Sequence, residues 1–239
     1  MSRGRATLFF AIFALAVSAG CIRLGFWQVS RWREHLAVNA QVIGRLDAAA
    51  VPVASIAPDT GVRFRRAFAE GRDDFEREIV HTTRSRNGAP GVHILTPLRW
   101  GDSAVLVNRG WVYAPDGMRI DHLLWREDSV ARVEGFVEEY TDTIRGPVST
   151  PSVERGVRAL AFDSISALLP YGLLPVVIVQ RADSGEAAAL SAGTPVRVDP
   201  PPLSQGPHRA YAVQWFAFAL VGIVGAGLVL ARDRRRSLR

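Results

Sequence analysis

The sequence predicts a membrane protein in which two transmembrane helices flank a β-rich extracytoplasmic domain, an antiparallel barrel or sandwich that contains a minor helix. The first observation behind this prediction is a long uncharged apolar run near each end of the 239-residue chain. The second is a series of short apolar or alternating runs, separated by turn residues, between those ends. The third is the net charge of +6: residues 23–209 carry as many acidic residues as arginines, so the excess lies in the two ends.

The first predicted transmembrane helix covers residues 6–27. Ala6 to Ile22 contains no charged residue, and at about 1.5 Å per residue it spans about 25 Å of the roughly 30 Å hydrocarbon core. Arg23 can extend its side chain outward, and Trp27 then lies at the membrane interface. Ser18-Ala19-Gly20-Cys21 also resembles a lipoprotein cleavage site, so a lipidated Cys21 or a cleaved N-terminus is the alternative to an uncleaved anchor.

Residues 28–207 are predicted to form the β-rich domain. Arg31 to Asp47 is expected to extend the first helix, and six short runs after it are typical of strands. These runs are Arg63–Ala69, Glu76–Thr82, Val92–Arg99, Ala104–Val112, Val130–Glu138 and Leu174–Arg181. One short helix is expected over Asp163–Leu169, with Asp163 as its N-cap and Pro170 as its stop. Residues 182–207, rich in Pro, Gly and Ser, are expected to lead into the second span.

The second predicted transmembrane helix covers residues 208–231 and precedes a basic tail, 232–239. Ala210 to Ala231 contains no charged residue and would span about 33 Å. Five arginines follow this span, against Arg197 and Arg209 before it, so the positive-inside rule puts both termini in the cytoplasm. We therefore expect a multi-pass protein in the lipid bilayer of the inner (plasma) membrane, with its main domain in the periplasm.

Several kinds of chemistry lack the residues that they need. All 29 basic side chains are arginines, which excludes a Walker-type phosphate loop and Schiff-base chemistry because both need lysine. Cys21 is the single cysteine, which excludes intrachain disulfides and cysteine-rich zinc sites. The neutral body of the chain argues against a nucleic-acid partner. Because the sequence has no HExxH, GxSxG or CxxCH motif, we predict that the protein is not an enzyme.

Two clusters contain candidates for partner docking or for a structural role. LGFWQVSR (24–31) contributes Trp27, Gln28 and Arg31, which on a helix form either an interfacial anchor or a docking face. GAPGVHILTPL (88–98), followed by LVNRGWV (106–112), contributes Gly91, Thr96, Pro97, Arg109, Gly110 and Trp111. Gly88 and Gly91 are expected at positive φ, and Pro97 at an edge or bulge. Gly110 permits close backbone approach, and Arg109 is a candidate for an internal ion pair.

A third cluster, HRAYAVQWFAFA (208–219), opens the second span. Pro207 suits the first helical position, so His208 falls in the first turn. The positive end of the helix dipole disfavours a protonated imidazole there, which keeps His208 available as a metal ligand. A haem matches this cluster, and a histidine solvated among the headgroups is the alternative. The candidate cofactor-binding residues are His208, Arg209, Tyr211 and Trp215, with His208 as the metal ligand.

Taken in order between two spans, the three clusters resemble the surfeit locus protein 1 family of cytochrome oxidase biogenesis factors. LGFWQVSR resembles the signature after that family's first span, and HRAYAVQWFAFA resembles its second-span signature. GAPGVHILTPL with LVNRGWV resembles its central signature. The chain departs from the family where Tyr113-Ala114 intervene before Pro115.

The resemblance implies a non-catalytic factor for the haem-copper cytochrome oxidase that assists delivery of haem a to the catalytic subunit or its retention there. It also implies haem a as a cofactor bound through His208. The implied partners are the oxidase catalytic subunit and, as a further candidate, haem a synthase. Two alternatives stay open: a membrane scaffold for the oxidase subunit that never binds haem, and an exported enzyme tethered to the membrane.

Overall fold

A computed structural model gives the structure of residues 3–127, 132–141, 148–181 and 193–237. The chain divides into two compact units. The helical unit consists of residues 1–41 and 202–239, and the sheet unit consists of residues 42–201. The α-helices in the described residues are α1 (Arg3–Asp47), α2 (Phe162–Ser166) and α3 (His208–Ser237).

Helices α1 and α3 are long and apolar enough to cross a membrane, with mean hydropathies of 2.0 and 2.1 in their apolar windows. The predicted extension after the first span belongs to the same continuous helix, since no proline interrupts α1. α3 begins at His208, and the carbonyl of Pro207 accepts a hydrogen bond from the Tyr211 N–H (3.2 Å). Pro207 therefore precedes the first helical position instead of filling it.

Within the helical unit, α1 and α3 pack in antiparallel directions. Residue numbers that rise along α1 meet numbers that fall along α3. A Cβ at Gly25 would lie 2.6 Å from the ring of Phe216, and a Cβ at Gly222 would collide with Ser18. The glycines therefore let the two backbones approach closely, as the small-residue pairs of membrane helices do.

The stripe between α1 and α3 consists mostly of small residues that recur about every 3.5 positions, the period at which a stripe stays turned toward its partner. Its buried members are Ala11, Ser18, Cys21, Gly25 and Gln28 of α1 and Ala212, Ala219 and Ala226 of α3. Large apolar side chains lie on the outside of the pair instead, among them Phe9, Phe13, Phe218, Leu220 and Val221. Small residues inside and large apolar residues outside are typical of helices solvated by lipid.

The described part of the sheet unit contains nine strands. These are β1 (Val51–Pro52), β2 (Arg66–Glu70), β3 (Arg72–Asp73), β4 (Ile79–Arg86), β5 (Ala89–Trp100), β6 (Ser103–Tyr113), β7 (Arg132–Glu139), β8 (Gly156–Val157) and β9 (Gly172–Gln180). Each of the six predicted runs overlaps one of the longer strands. The predicted start of β7 at Val130 lies outside the described residues, as do residues 182–192 of the predicted lead-in.

The strands form one sheet in the order β1-β2-β7-β9-β6-β5-β4-β8, with β3 paired to β5. Most neighbours are antiparallel, but β1·β2, β4·β8 and β6·β9 are parallel. The β-rich domain between two membrane-capable helices is thus confirmed, with a mixed sheet rather than a wholly antiparallel one. Parallel pairing of β6 with β9 is possible because a long crossover, through β7, β8 and α2, separates them in the chain.

The centre of the sheet is buried on both faces. Val105 and Val107 of β6 belong to one hydrophobic cluster and Leu106 to another. Because successive residues of a strand point to opposite faces, both faces of β6 are covered. α2 contributes Ile165 to the cluster around Leu106.

The minor helix was predicted with the wrong N-cap. α2 begins at Phe162, its N-cap position is Ala161, and no side chain caps it. Asp163 therefore lies in the first turn, where its carboxylate interacts favourably with the helix dipole but does not cap the helix.

Candidate functional site

His208 lies at the start of α3 and contacts α1 within the helical unit. Its Nδ1 is 2.7 Å from Oε1 of Gln28, and its ring stacks on that of His35 with 5.1 Å between centroids. Gly206 has a positive φ of 68°, and a Cβ there would lie 3.0 Å from Cδ2 and 3.4 Å from Nε2 of His208. The ring is thus held by its Nδ1 edge and one face, and no described residue forms a hydrogen bond with Nε2.

The other predicted cofactor residues lie on the first turns of α3, and the structure shows no contact between them and the His208 ring among the interactions of the described residues. The guanidinium of Arg209 lies 6.0 Å from the ring centre of Trp32, whose indole N–H donates to Gln205 (3.4 Å). Tyr211 is exposed, and Trp215 is half-buried with its ring edge-to-face against Phe218 at 6.1 Å. This end of the helix pair therefore has the stacked imidazoles of His208 and His35, the guanidinium of Arg209 and several aromatic faces.

The predicted docking face of LGFWQVSR divides into two parts. Gln28 is buried against α3, with 9% of its surface exposed. Trp27 is half exposed, and the guanidinium of Arg31 lies 5.8 Å from its ring centre. Arg31 also forms an exposed ion pair with Glu34 (2.7 Å). Gln28 thus belongs to the helix contact, and Trp27 and Arg31 face outward.

These side chains fit a haem by their donor chemistry. No group of three or more metal-ligating side chains occurs among the described residues, and a haem needs none because its porphyrin supplies four ligands and the protein supplies an axial one. An imidazole nitrogen suits the iron, aromatic faces suit the macrocycle and a guanidinium suits a carboxylate.

In the sheet unit, Arg109 lies at the centre of a buried network of charges. Its guanidinium donates to Glu78 (2.9 Å) and to Glu127 (2.8 Å), and only 3% of the surfaces of the Arg109 and Glu78 side chains is exposed. Thr96 donates to Glu78 (2.8 Å), and Arg197 pairs with the second oxygen of Glu127 (2.6 Å). The network joins β5 and β6 to the segments around residues 127 and 197, and the predicted internal ion pair of Arg109 is present.

A β-bulge directs Arg109 into this network. Opposite β6, Ile94 pairs with Gly110 and Leu95 pairs with Asn108, so Arg109 is the extra residue of β6. Bulges of this kind turn a side chain away from the direction that strict alternation would give it. His122 completes the network with a 2.5 Å contact from its Nδ1 to Glu78.

The glycines of the central signature make room for backbone contacts. A Cβ at Gly110 would collide with the carbonyl of Val196, which accepts a hydrogen bond from the Trp111 N–H (2.7 Å). The predicted close approach at Gly110 is thereby confirmed. The predicted positive φ holds for Gly88, at 82°, but is wrong for Gly91. Gly91 is needed for a different reason, because a Cβ there would collide with the backbone of β6 and the indole of Trp111.

Pro97 occupies a break in the pairing of β5. On the side of β5 away from β6, β4 pairs with residues up to Leu95, and β3 pairs with Leu98 and Arg99. Pro97 lies between these two partners, so its missing N–H removes no ladder hydrogen bond on that side. Its carbonyl accepts from the N–H of Asp74 (2.8 Å). The predicted edge character of Pro97 is therefore local to this gap.

A buried histidine and a half-buried one lie on neighbouring strands of the sheet unit. His81 of β4 pairs with His93 of β5, and their ring centres are 6.0 Å apart. Burial, together with the nearby Arg84, lowers the pKa of His81 to about 3 and that of His93 to about 4. Both imidazoles are therefore neutral at pH 7.

Sequence reasoning missed His35 and several members of the charge network around Arg109, which are Glu78, Glu127, Arg197 and His122. The burial of Arg109 requires carboxylates nearby, but nothing local in the sequence indicates which of the acidic residues supply them. His35 lies seven positions after Gln28, two helical turns along the same side of α1. That spacing is the signal that could have associated His35 with the contact between Gln28 and His208.

Comparison with known proteins identifies the family. No curated protein matches the sequence significantly. The model of the SURF1 family matches residues 15–220, which include most of α1, the whole sheet unit and the beginning of α3. The chain therefore belongs to the SURF1 family, a family of cytochrome oxidase assembly factors.

Proposed function

We propose that the protein assists assembly of the haem-copper cytochrome oxidase by holding haem a for the catalytic subunit, without catalysis of its own. Membership of the SURF1 family supports the role in oxidase assembly. The observation that carries the haem role is the imidazole of His208, which is held at Nδ1 by Gln28 (2.7 Å) and has no hydrogen bond to Nε2 from the described residues.

Each candidate residue has a distinct task in this proposal. His208 would supply an imidazole nitrogen to the iron, Tyr211 and Trp215 would supply aromatic surface, and Arg209 would pair with a carboxylate of the porphyrin. When bound, haem a would supply a redox-active iron that an imidazole can bind. The site lies where α3 begins, so we expect it at the periplasmic interface of the inner membrane.

Partner contacts belong to the same proposal. We expect the oxidase catalytic subunit to receive the haem and haem a synthase to supply it. The outward-facing Trp27, with Arg31 beside it, is the surface of α1 that we assign to a membrane partner. This exposed face also favours the second candidate function, a scaffold that holds the oxidase subunit and never binds haem.

The decisive experiment replaces His208 by alanine. The full chain is produced together with the enzymes of haem a synthesis and purified in detergent, and its absorption spectrum is recorded. We expect a haem a band that H208A loses, with at least a ten-fold fall in occupancy. Q214A, which changes an exposed polar residue of the same helix, should keep the band. A band of full strength in H208A would reject His208 as the ligand.

A gene deletion separates haem handling from scaffolding. We expect the deletion to lower the content of assembled, haem-loaded oxidase while the spectra of other haem proteins stay normal. If H208A restores the oxidase content as fully as the wild-type chain does, the scaffold is the correct function. Unchanged oxidase content in the deletion strain would contradict both.

A further inference from the structure

We propose that Gln28 is a positioning residue for His208, one that fixes the tautomer of its imidazole. The amide oxygen of Gln28 accepts the Nδ1 proton, so the lone pair of His208 is confined to Nε2. This inference rests on the proposed haem-binding function for its purpose. The tautomer itself is a property of the protein without any ligand.

The hydrogen bond between Gln28 and His208 is short and partly buried. Oε1 of Gln28 lies 2.7 Å from Nδ1, and only 9% of the Gln28 surface is exposed. A carbonyl oxygen can only accept, and a neutral imidazole carries its single proton on one nitrogen. The bond therefore requires the proton on Nδ1 and leaves Nε2 unprotonated.

A glutamine in this position needs an explanation. The other buried residues of the stripe between α1 and α3 are alanine, glycine, serine and cysteine, and burial of an amide that has no hydrogen-bond partner is unfavourable. The contact to His208 satisfies the amide oxygen. Gln28 therefore replaces a small residue in the stripe, and its role there is to fix the proton position of the His208 imidazole.

The surroundings of the ring leave its Nε2 edge open. His35 covers one face, with 5.1 Å between ring centres and 30° between the ring planes. Gly206 lies beside the Cδ2–Nε2 edge, where any larger residue would place a Cβ within 3.4 Å of Nε2. The orientation of the ring and the proton on Nδ1 thus both direct the lone pair to the side that Gly206 keeps free.

The expected consequence follows from general metal-site chemistry. A ligating histidine nearly always donates its other N–H to an oxygen, and loss of that partner lowers metal affinity by about 10–100-fold. Replacing the amide by a carboxylate makes the imidazole a stronger donor. Gln28 should therefore affect both the occupancy and the redox potential of a haem on His208.

The first test needs no haem. The full chain, with ¹⁵N-labelled histidine, is studied in detergent micelles at pH 8 by long-range ¹H–¹⁵N correlation, and the signals of His208 are identified by their loss in H208Q. We expect a protonated Nδ1 and an unprotonated Nε2 in the wild-type protein, and a shift toward the other tautomer in Q28L. Q214L is the matched control, a Gln-to-Leu change on an exposed face, and should leave the His208 signals unchanged. A proton on Nε2 in the wild-type protein, or unchanged signals in Q28L, overturns the proposal.

The second test uses protein loaded with haem a by co-production. We expect Q28L to lower haem occupancy by 10–100-fold, and Q28E to restore it with a lower midpoint potential than the wild-type protein. If H208A loses the haem while Q28L keeps wild-type occupancy and potential, the role of Gln28 is refuted and the proposed function stands. If H208A keeps the haem, the proposed function fails. The tautomer measurement then still tests whether Gln28 fixes the proton of His208 on Nδ1.

Discussion

At the scale of single residues, Arg109 illustrates how one side chain can join several segments. Its guanidinium contacts Glu78 and Glu127, and its backbone carbonyl accepts from Arg197 (2.6 Å). Three segments distant in sequence thus meet at one buried cation. Buried ion pairs are weak sources of net stability, but removal of one partner leaves a carboxylate without compensation.

We predict that R109M destabilises the protein by about 3–5 kcal/mol, because Glu78 would be left buried and unpaired. R86M is the control, since Arg86 is exposed near the end of β4, and it should change the stability by no more than about 0.5 kcal/mol. The measurement is urea-induced unfolding of the full chain in detergent, followed by tryptophan fluorescence. A midpoint for R109M equal to that of R86M would show that the network is not structural.

The same residue shows where sequence reasoning stops. Arg109, Gly110 and Trp111 are identifiable from the sequence as a candidate cluster, and Gly110 has the predicted role. The bulge at Arg109 is not predictable from local pattern, because it arises from the register of β5 against β6. The partners Glu127 and Arg197 are likewise brought in by tertiary structure alone.

At the scale of elements, α1 and α3 were predictable because an apolar run long enough to cross a bilayer has few other uses. Their contact was only partly predictable. Gly222 and Ala226 indicate a small-residue face in the sequence, and the structure puts both against α1. Small residues on α1 line the same contact, but Gln28 and His208 interrupt it with a polar pair.

We predict that G222L separates or destabilises the helix pair by about 1–3 kcal/mol, because a side chain at this position would collide with Ser18. G225L is the matched control, since a Cβ at Gly225 meets nothing within 4 Å. The measurement is the midpoint of heat-induced aggregation of the full chain in detergent. Equal midpoints for the two variants would contradict the packing of α3 on α1.

The sheet shows the corresponding limit for strands. Alternation and turn residues located all six of the longer strands, and Asn87-Gly88 gives the two-residue turn between β4 and β5, with φ values of 51° and 82°. The short strands β1, β3 and β8 have two residues each and no pattern of their own. They form because each of them pairs with a longer strand that has unpaired backbone groups at that position. The parallel pairing of β6 with β9 has the same origin, since it depends on the path of the chain between them.

At the scale of the whole molecule, the distribution of charge decides which way the chain lies in a membrane. Residues 23–209 are balanced, whereas five arginines and one aspartate follow the second span. In the helical unit the antiparallel packing of α1 and α3 brings the start of α1, at Gly4, close to Asp233 near the end of α3. Both of these helix ends must therefore lie on the same side of the membrane. The arginines after the second span determine that side more strongly than the arginines near the first span do.

We predict that the tail faces the cytoplasm and the sheet unit faces the periplasm. The test uses a chain without its native cysteine, C21A, that carries one new cysteine at Asp59, which is exposed in the sheet unit, or at Arg239 in the tail. A membrane-impermeant maleimide applied to right-side-out membrane vesicles should label D59C at once and R239C only after detergent is added. Both should react equally in detergent, which controls for intrinsic reactivity. Labelling of R239C with protection of D59C would invert the topology, and the haem site would then lie on the cytoplasmic side, because His208 opens the same span that the arginines close.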